Sequence, residues 1–203
     1  MFSHSLHYFP SKREPASFAG FGLIELLVSV SIMLLLAGLV FARHQSFNGA
    51  VLLRSEAYEV ALTIREVQFA AVSAESDGSG GFRSVEGVYF TSDTDNVYRI
   101  FRDIAPYNYT FDVGEAYGKQ GTLDNRFEIR AVRGVGDSVG NGLAIVFERP
   151  NYDAKFYDEN GVVNASSVEI DIAKRGETGV GDGVVRTVEV TATGQISVLE
   201  GNP

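Results

Sequence analysis

Residues 21–42 read FGLIELLVSVSIMLLLAGLVFA, an apolar run that carries a single charged side chain, Glu25. About 22 residues, at about 1.5 Å of rise each, give a helix of roughly 33 Å, which is enough to cross the hydrocarbon core of a bilayer. The apolar core of a secretory signal peptide is shorter, about 7–15 residues. The run therefore predicts a membrane-spanning helix.

Basic residues on the two sides of the run predict which way it crosses. Lys12 and Arg13 precede the run, and Arg43 follows it. Because basic residues are retained on the cytoplasmic side of a membrane, we expect residues 1–20 to stay inside the cell. The chain from about residue 43 onward is then expected to be exported.

The composition narrows the classes of function. The chain has 203 residues, a formal net charge of -9 and no cysteine. Binding to nucleic acid needs clustered Lys and Arg to contact phosphates, so we expect no nucleic-acid partner. The absence of cysteine excludes disulfides, thiolate zinc sites and cysteine nucleophiles.

A second helical pattern follows the apolar run, in residues 43–75. Its small and branched apolar residues recur at helical spacing: Leu53, Ala57, Val60, Ala61, Ile64, Val67 and Ala71. Such a stripe predicts the amphipathic second half of one long helix, with the stripe packed on a protein core.

The period changes from helix to strand in residues 76–203, which predict a β-rich globular head. Apolar and polar residues alternate there, which is typical of antiparallel strands with one face in water. The expected strands are residues 87–91, 96–103, 127–133, 143–148, 168–172, 187–192 and 196–199. The predicted fold class is α+β: a long N-terminal helix packed on a mostly antiparallel sheet of about five to seven strands.

Side chains that support catalysis are scarce. His44 is the one histidine after residue 20, and it lies at the expected membrane boundary, where a surface or interface role is favoured. No Ser/His/Asp set, two-histidine metal spacing or phosphate-binding glycine loop is found. We therefore expect neither an enzyme nor a bound cofactor.

Two acidic segments offer oxygen ligands of the kind that calcium prefers. Asp93 and Asp95 lie in one segment, and Asp153 and Asp158 lie in the other. The EF-hand spacing is not met after Asp93. Solvated turns are the favoured interpretation of both segments, and calcium binding is the alternative.

Residues 20–27 read GFGLIELL, and this string resembles the cleavage and methylation motif of type IV prepilins. The resemblance is to the family of type IV pilins and type II secretion pseudopilins, which are bacterial. It implies that a prepilin peptidase cuts after Gly20 and methylates the new amino group of Phe21. It also implies that Glu25 faces the terminal amine of a neighbouring subunit during assembly.

Elementary electrostatics supports that role for Glu25. An α-amino group has a pKa of about 8, so it is mostly positive at neutral pH. A carboxylate attracts it more strongly in a low dielectric than in water. A charge buried without a partner is costly, and pairing in a filament relieves that cost.

The resemblance extends loosely to the exported part of the chain. The segments AYEVALTIREVQFAAVSAES (residues 57–76) and VEVTATGQISV (residues 188–198) are most similar to minor pseudopilins of the GspH and FimT type. The implied partners are the prepilin peptidase, other pilin or pseudopilin subunits through the N-terminal helix, the inner-membrane assembly platform and the lipid bilayer. DNA capture is disfavoured, because no Lys or Arg follows Arg186.

Three functions remain open from the sequence. The leading one is a structural and assembly subunit of a type IV pilus or pseudopilus, first held in the inner membrane with its head outside. The second is a membrane-anchored extracytoplasmic domain that binds a ligand. The third is a secreted protein cut by signal peptidase after Ala42, for which the apolar run is too long.

Overall fold

A computed structural model describes residues 22–73, 85–91, 96–104, 107–148, 150–179 and 183–200, without the side chains of residues 42–48. The predicted leader, the cleavage site at Gly20 and Phe21, and the side chain of His44 lie outside the described residues. So do Asp93 and Asp95. The chain forms two compact units, Met1–Arg43 and His44–Pro203.

The described part of the chain has one helix, α1, which runs from Leu23 to Val72 over 50 residues. Its portion in the first unit is the apolar run. In the second unit its buried side chains include Leu53, Ala57 and Ile64, each fully inaccessible to solvent. The predicted apolar stripe is therefore confirmed as the face of α1 that packs into a core.

Ten strands follow the helix in the described part of the chain. They are β1 (Val85–Thr91), β2 (Val97–Asp103), β3 (Gly121–Thr122), β4 (Phe127–Val135), β5 (Gly142–Glu148), β6 (Ala154–Asp158), β7 (Gly161–Val163), β8 (Ser167–Lys174), β9 (Val185–Thr191) and β10 (Ile196–Glu200). All pairings between them are antiparallel. The coarse prediction of an α+β class with antiparallel strands is confirmed.

The strands form two sheets, and the prediction of one sheet with five to seven strands is wrong. A six-stranded sheet has the order β3-β2-β1-β5-β6-β7, and a four-stranded sheet has the order β10-β9-β8-β4. Three strands were not predicted, namely β3, β6 and β7. The strands β3 and β7 have only two and three residues, too few for a period-2 pattern to stand out from a loop. The strand β6 was missed because Asp153 just before it and Asp158 at its end were interpreted as parts of a turn.

One hydrophobic core joins the helix to both sheets. Its members include Ile64 of α1, Ile145 and Phe147 of β5, and Ile170 of β8, all fully buried. The strand β5 is buried along nearly its whole length because it lies between β1 and β6 in the middle of its sheet. This confirms the prediction that residues 143–148 form a central strand.

A polypeptide strap, residues 107–118, covers part of the second face of the six-stranded sheet. The ring of Tyr109 stacks on Tyr157 of β6 at 5.0 Å between centroids, and Phe111 stacks on Tyr89 of β1 at 5.6 Å. The ring of Phe111 also meets the edge of Phe101 at 5.9 Å. These contacts close a second, smaller apolar cluster.

The expectation that each strand keeps one face in water is therefore wrong for parts of both sheets. The strap covers one face of the first sheet. On the second sheet, Asp171 of β8 and Thr187 of β9 are buried, and their side chains are hydrogen bonded at 2.7 Å. Arg133 of β4 is exposed and bonds the two carboxylates of Asp171 and Glu169, which are largely covered, so the polar residues here are bonded to one another and only Arg133 reaches well into water.

Candidate membrane-anchoring and assembly segment

The segment Leu23–Phe41 is long and apolar enough to cross a membrane, judged by length and composition. None of this segment is buried within the protein. Exposing apolar surface to water costs about 25 cal/mol for each Å². A helix with large apolar side chains on all sides is therefore stable only in lipid or among other apolar helices.

Glu25 lies in the first turn of this helix. The backbone N–H groups of Glu25 and Leu26 donate to the carbonyl oxygen of Gly22, at 2.9 and 3.1 Å, and these bonds start the helix. A carboxylate in the first turn is favoured by the partial positive charge of a helix N-terminus. The Glu25 side chain is exposed, and no ion pair joins it to another residue in the described ranges.

The two serines of the segment differ from Glu25 in this respect. The hydroxyl of Ser29 donates to the carbonyl of Glu25 at 2.7 Å, and that of Ser31 donates to the carbonyl of Leu27 at 2.8 Å. A hydroxyl satisfied by its own helix is compatible with a lipid environment. Glu25 is the polar side chain of this segment whose charge is not compensated within the segment.

Asp153 and Asp158 are the two candidate calcium ligands that the structure describes. Asp158 is buried, and its carboxylate accepts hydrogen bonds from the backbone N–H groups of Asn160 at 2.7 Å and Gly140 at 3.0 Å. Burial acts to raise the pKa of Asp158, but these hydrogen bonds outweigh it and lower the pKa. This carboxylate therefore holds two loops together.

Asp153 is exposed and accepts a bond from the side-chain amide of Asn151 at 3.4 Å. Within the described ranges, no group of three or more histidine, aspartate or glutamate side chains is placed to hold a metal ion. Asp93 and Asp95 remain outside those ranges.

An exposed apolar row on the second half of α1 was not predicted from the sequence. We call this row the seam: Val51, Tyr58, Leu62 and Phe69, which are 49, 50, 59 and 65 % exposed. Their spacings of seven, four and seven residues place them on one helix face, away from the buried stripe. That heptad-like spacing was the available signal, but the stronger buried stripe in the same residues hid it.

A groove of about 560 Å³ lies beside the end of the seam. Arg65, Phe69 and Tyr152 line it, and its floor includes Gln68 and Gly194. The buried amide of Gln68 donates to the carbonyls of Tyr152 at 2.8 Å and Gly194 at 2.9 Å. The helix is thereby fastened to the loop before β6 and to the turn between β9 and β10.

No family model, curated protein or solved structure matches the chain.

Proposed function

We propose that the chain is a structural and assembly subunit of a type IV pilus or a type II secretion pseudopilus, processed by a prepilin peptidase. The observation that carries the proposal is the unburied apolar helix Leu23–Phe41 with one carboxylate in its first turn. In the sequence, this helix follows directly on the junction between Gly20 and Phe21. An anchor alone needs length and apolarity, and Glu25 would add to it only the favourable contact of a carboxylate with a helix N-terminus.

Cleavage after Gly20 explains why the helix keeps Glu25. The cut creates an amino group at Phe21, four residues before Glu25, and that amine is mostly positive at neutral pH. In an apolar environment, Glu25 of one subunit and the amine of the next attract each other strongly. The pair removes two uncompensated charges and sets the axial position of one helix against its neighbour.

The fold of the second unit is compatible with the finer assignment. A helix with one face buried on antiparallel sheets is the arrangement that the resemblance to pilins implies. The assignment to minor pseudopilins of the GspH and FimT type depends on residues 57–76 and 188–198 alone. It also fits a cysteine-free chain, which cannot close a C-terminal loop by a disulfide.

The N-terminal mass of the mature chain tests the processing step. The full chain is expressed with and without a prepilin peptidase, and its intact mass is measured. We expect a start at methylated Phe21 only when the peptidase is present. Gly20→Val should abolish this cut, whereas Gly22→Ala should not, because a Cβ at Gly22 meets no atom within 4 Å. A start at Arg43 or an uncut chain would contradict the proposal.

The charge of Glu25 tests the assembly step. Glu25→Gln keeps the shape of the side chain and removes its charge, so we expect normal cleavage and strongly reduced recovery in sheared filaments of the native host. Ser31→Ala is the matched control, since the Ser31 hydroxyl is bonded only within its own helix. Normal recovery of the Glu25 variant would show that the pairing role is wrong.

A membrane-anchored ligand-binding domain is the second candidate. The groove lined by Phe69 and Tyr152 favours it, because apolar and aromatic walls with a few polar groups are typical of ligand sites. The mass measurement separates the two functions, since this domain would retain Met1.

A further inference from the structure

Charged side chains flank the seam, and the two flanks have opposite signs. Successive residues of an α-helix are rotated by about 100°. On this basis Arg54 and Arg65 lie along one side of the seam, and Glu59 and Glu66 lie along the other side. All four residues are exposed. We call these pairs the basic flank and the acidic flank.

The signs of the flanks specify how two such helices can meet. When two identical helices pack face to face in parallel, the left flank of each lies opposite the right flank of the other. When they pack antiparallel, each flank meets its own counterpart. The basic flank therefore meets the acidic flank only in the parallel arrangement, and antiparallel packing sets like charges together.

The spacing of the charges agrees with the parallel arrangement. In a parallel two-helix coiled coil, charged residues flanking the core pair across the two helices. A flanking residue that directly precedes a core position lies opposite the residue numbered five higher in the partner helix. With Tyr58 and Leu62 as core positions, Arg65 lies at the next core position, seven residues after Tyr58, and the cross-helix pairing rests on Arg54 and Glu59. Arg54 of one helix lies opposite Glu59 of the other. Two such pairs form in a symmetric dimer.

We propose that the seam joins two copies of this chain in a parallel, side-by-side pair. The apolar row and the two flanks are both self-complementary, so a second copy matches them in shape and charge. Two chains anchored in one membrane through Leu23–Phe41 reach the seam from the same end, which the parallel arrangement requires. The pair does not depend on cleavage at Gly20.

The seam is short, and anchoring compensates for this. From Val51 to Phe69 the helix rises about 27 Å, at about 1.5 Å per residue. Short helix pairs are marginal in dilute solution. Confinement in one membrane raises the effective concentration of the second copy and favours the pair without any new contact. The test therefore uses the full chain in membranes.

Single cysteines test the pair without background, because the natural chain has none. Tyr58→Cys and Leu62→Cys each place a thiol where it faces its own counterpart in a parallel pair. Val113→Cys is the control, since Val113 is fully exposed and lies on the strap, not on the seam. Membranes are treated with a mild oxidant, and covalent dimers are measured by gel electrophoresis.

We expect dimers at positions 58 and 62 in several-fold excess over position 113. Equal yields at all three positions would mean random collisions and would overturn the proposal. An absence of dimers at both seam positions would overturn it too. Head-to-tail packing of copies gives that second result, because each position then meets a different residue of its neighbour.

Charge reversal tests the orientation. In the Leu62→Cys background, Arg54→Glu should reduce the dimer yield several-fold, and adding Glu59→Arg should restore it. Arg54 also lies over the Tyr58 ring, at 5.5 Å from its centroid. Loss of that local contact is not repaired by a change at Glu59, so restoration reports the pair. A yield unchanged by Arg54→Glu, or a double variant that stays low, would contradict the parallel pair.

The outcome is distinguishable from that of the proposed function. Dimers at positions 58 and 62 in a chain that is never cut at Gly20 would support the pair and contradict the pilin assignment. Correct cleavage without these dimers would do the reverse.

Discussion

At the scale of single residues, the turn between β9 and β10 depends on a glycine. Gly194 has a φ of 80°, in the left-handed region that favours glycine. A Cβ there would overlap the carbonyl oxygen of Tyr152 and lie 2.6 Å from the amide nitrogen of Gln68. The two hydrogen bonds of Gln68, one to this turn and one to the loop before β6, therefore require a residue without a side chain at position 194.

Gly194→Ala is expected to destabilise the protein more than Gly176→Ala. Gly176 has a similar φ of 77°, but a Cβ there meets no atom within 4 Å. We expect about 1–2 kcal/mol for the backbone conformation alone at Gly176, and about 2–4 kcal/mol at Gly194, where the overlap adds to it. Thermal or denaturant unfolding of the full chain in detergent micelles measures both, and equal losses would contradict the close approach.

At the scale of elements, carboxylates fix the strap onto the six-stranded sheet. Asp103 is buried at the end of β2 and accepts a hydrogen bond from the N–H of Tyr109 at 2.8 Å. Glu115 accepts bonds from the N–H groups of Ile104 at 3.1 Å and Asp112 at 2.9 Å. Burial raises the pKa of Asp103, the Tyr109 bond lowers it, and the charge of Glu115 raises it again, so that the pKa lies above its usual value.

This raised pKa predicts that the stability of the folded chain depends on pH. The folded chain holds the Asp103 proton more tightly than the unfolded chain, so stability falls as pH rises from about 3.9, the ordinary aspartate value, through the raised pKa. The Asp103→Asn variant has no carboxyl group to titrate at this position, so it does not lose stability in this way as pH rises. We therefore expect the stability of the variant relative to the natural chain to increase across that window, as measured by denaturant unfolding at a series of pH values.

Asp124→Asn provides a control with the opposite sign. Hydrogen bonds from Arg126 lower the pKa of Asp124 to about 2. The stability that this pair contributes is present above about pH 4 and lost as pH falls towards 2. Below neutral pH the deficit of the Asp124 variant should therefore close between about pH 4 and 2, and it should be small because the pair is exposed and screened by salt. The same pH trend in both variants would contradict the assignment.

The elements that could be predicted from the sequence are those whose apolar pattern continues over many residues. The helix stripe from Leu53 to Ala71 and the strand β8 repeat their apolar residues often enough for the pattern to exceed chance, and β5 was predicted from an unbroken apolar run. The strap has no period, because Tyr109 and Phe111 contact strands that lie far away in the sequence. Its role in covering a sheet face could not be predicted from local spacing.

The candidate site, too, could be predicted from the sequence only in part. Length and composition were sufficient to predict the apolar segment, and Glu25 was visible within it as a lone charge. Asp158 was interpreted as a solvated turn or a calcium ligand, but it is buried and bonded to Gly140, eighteen residues earlier. A contact across that separation leaves no trace in the spacing of residues.

At the scale of the whole molecule, the apolar segment is expected to decide where the chain resides. Ile32, near the middle of Leu23–Phe41, is 56 % exposed and touches no core. An arginine at the centre of a spanning helix costs roughly 2.5–3.5 kcal/mol. Ile32→Arg should therefore sharply reduce the fraction of chain that resists alkaline carbonate extraction from membranes.

Val113→Arg is the matched control, because it makes the equivalent change at an exposed position of the second unit. We expect its carbonate-resistant fraction to equal that of the natural chain. If the Ile32 variant also remained fully in the membrane fraction, the segment would not be the anchor.

The strand β4 contains a bulge, which affects how neighbouring copies of the chain can associate through this strand. Register between β4 and β8 shifts between Ile129 and Ala131, and Arg130 lies at the irregularity. Its guanidinium turns to the carbonyls of Lys174, Glu177 and Gly179, beyond the end of β8. The outer strand of that sheet is therefore bent, which makes it a poor template for a strand from another molecule. Densely packed copies are thus protected from amyloid-like association along β4.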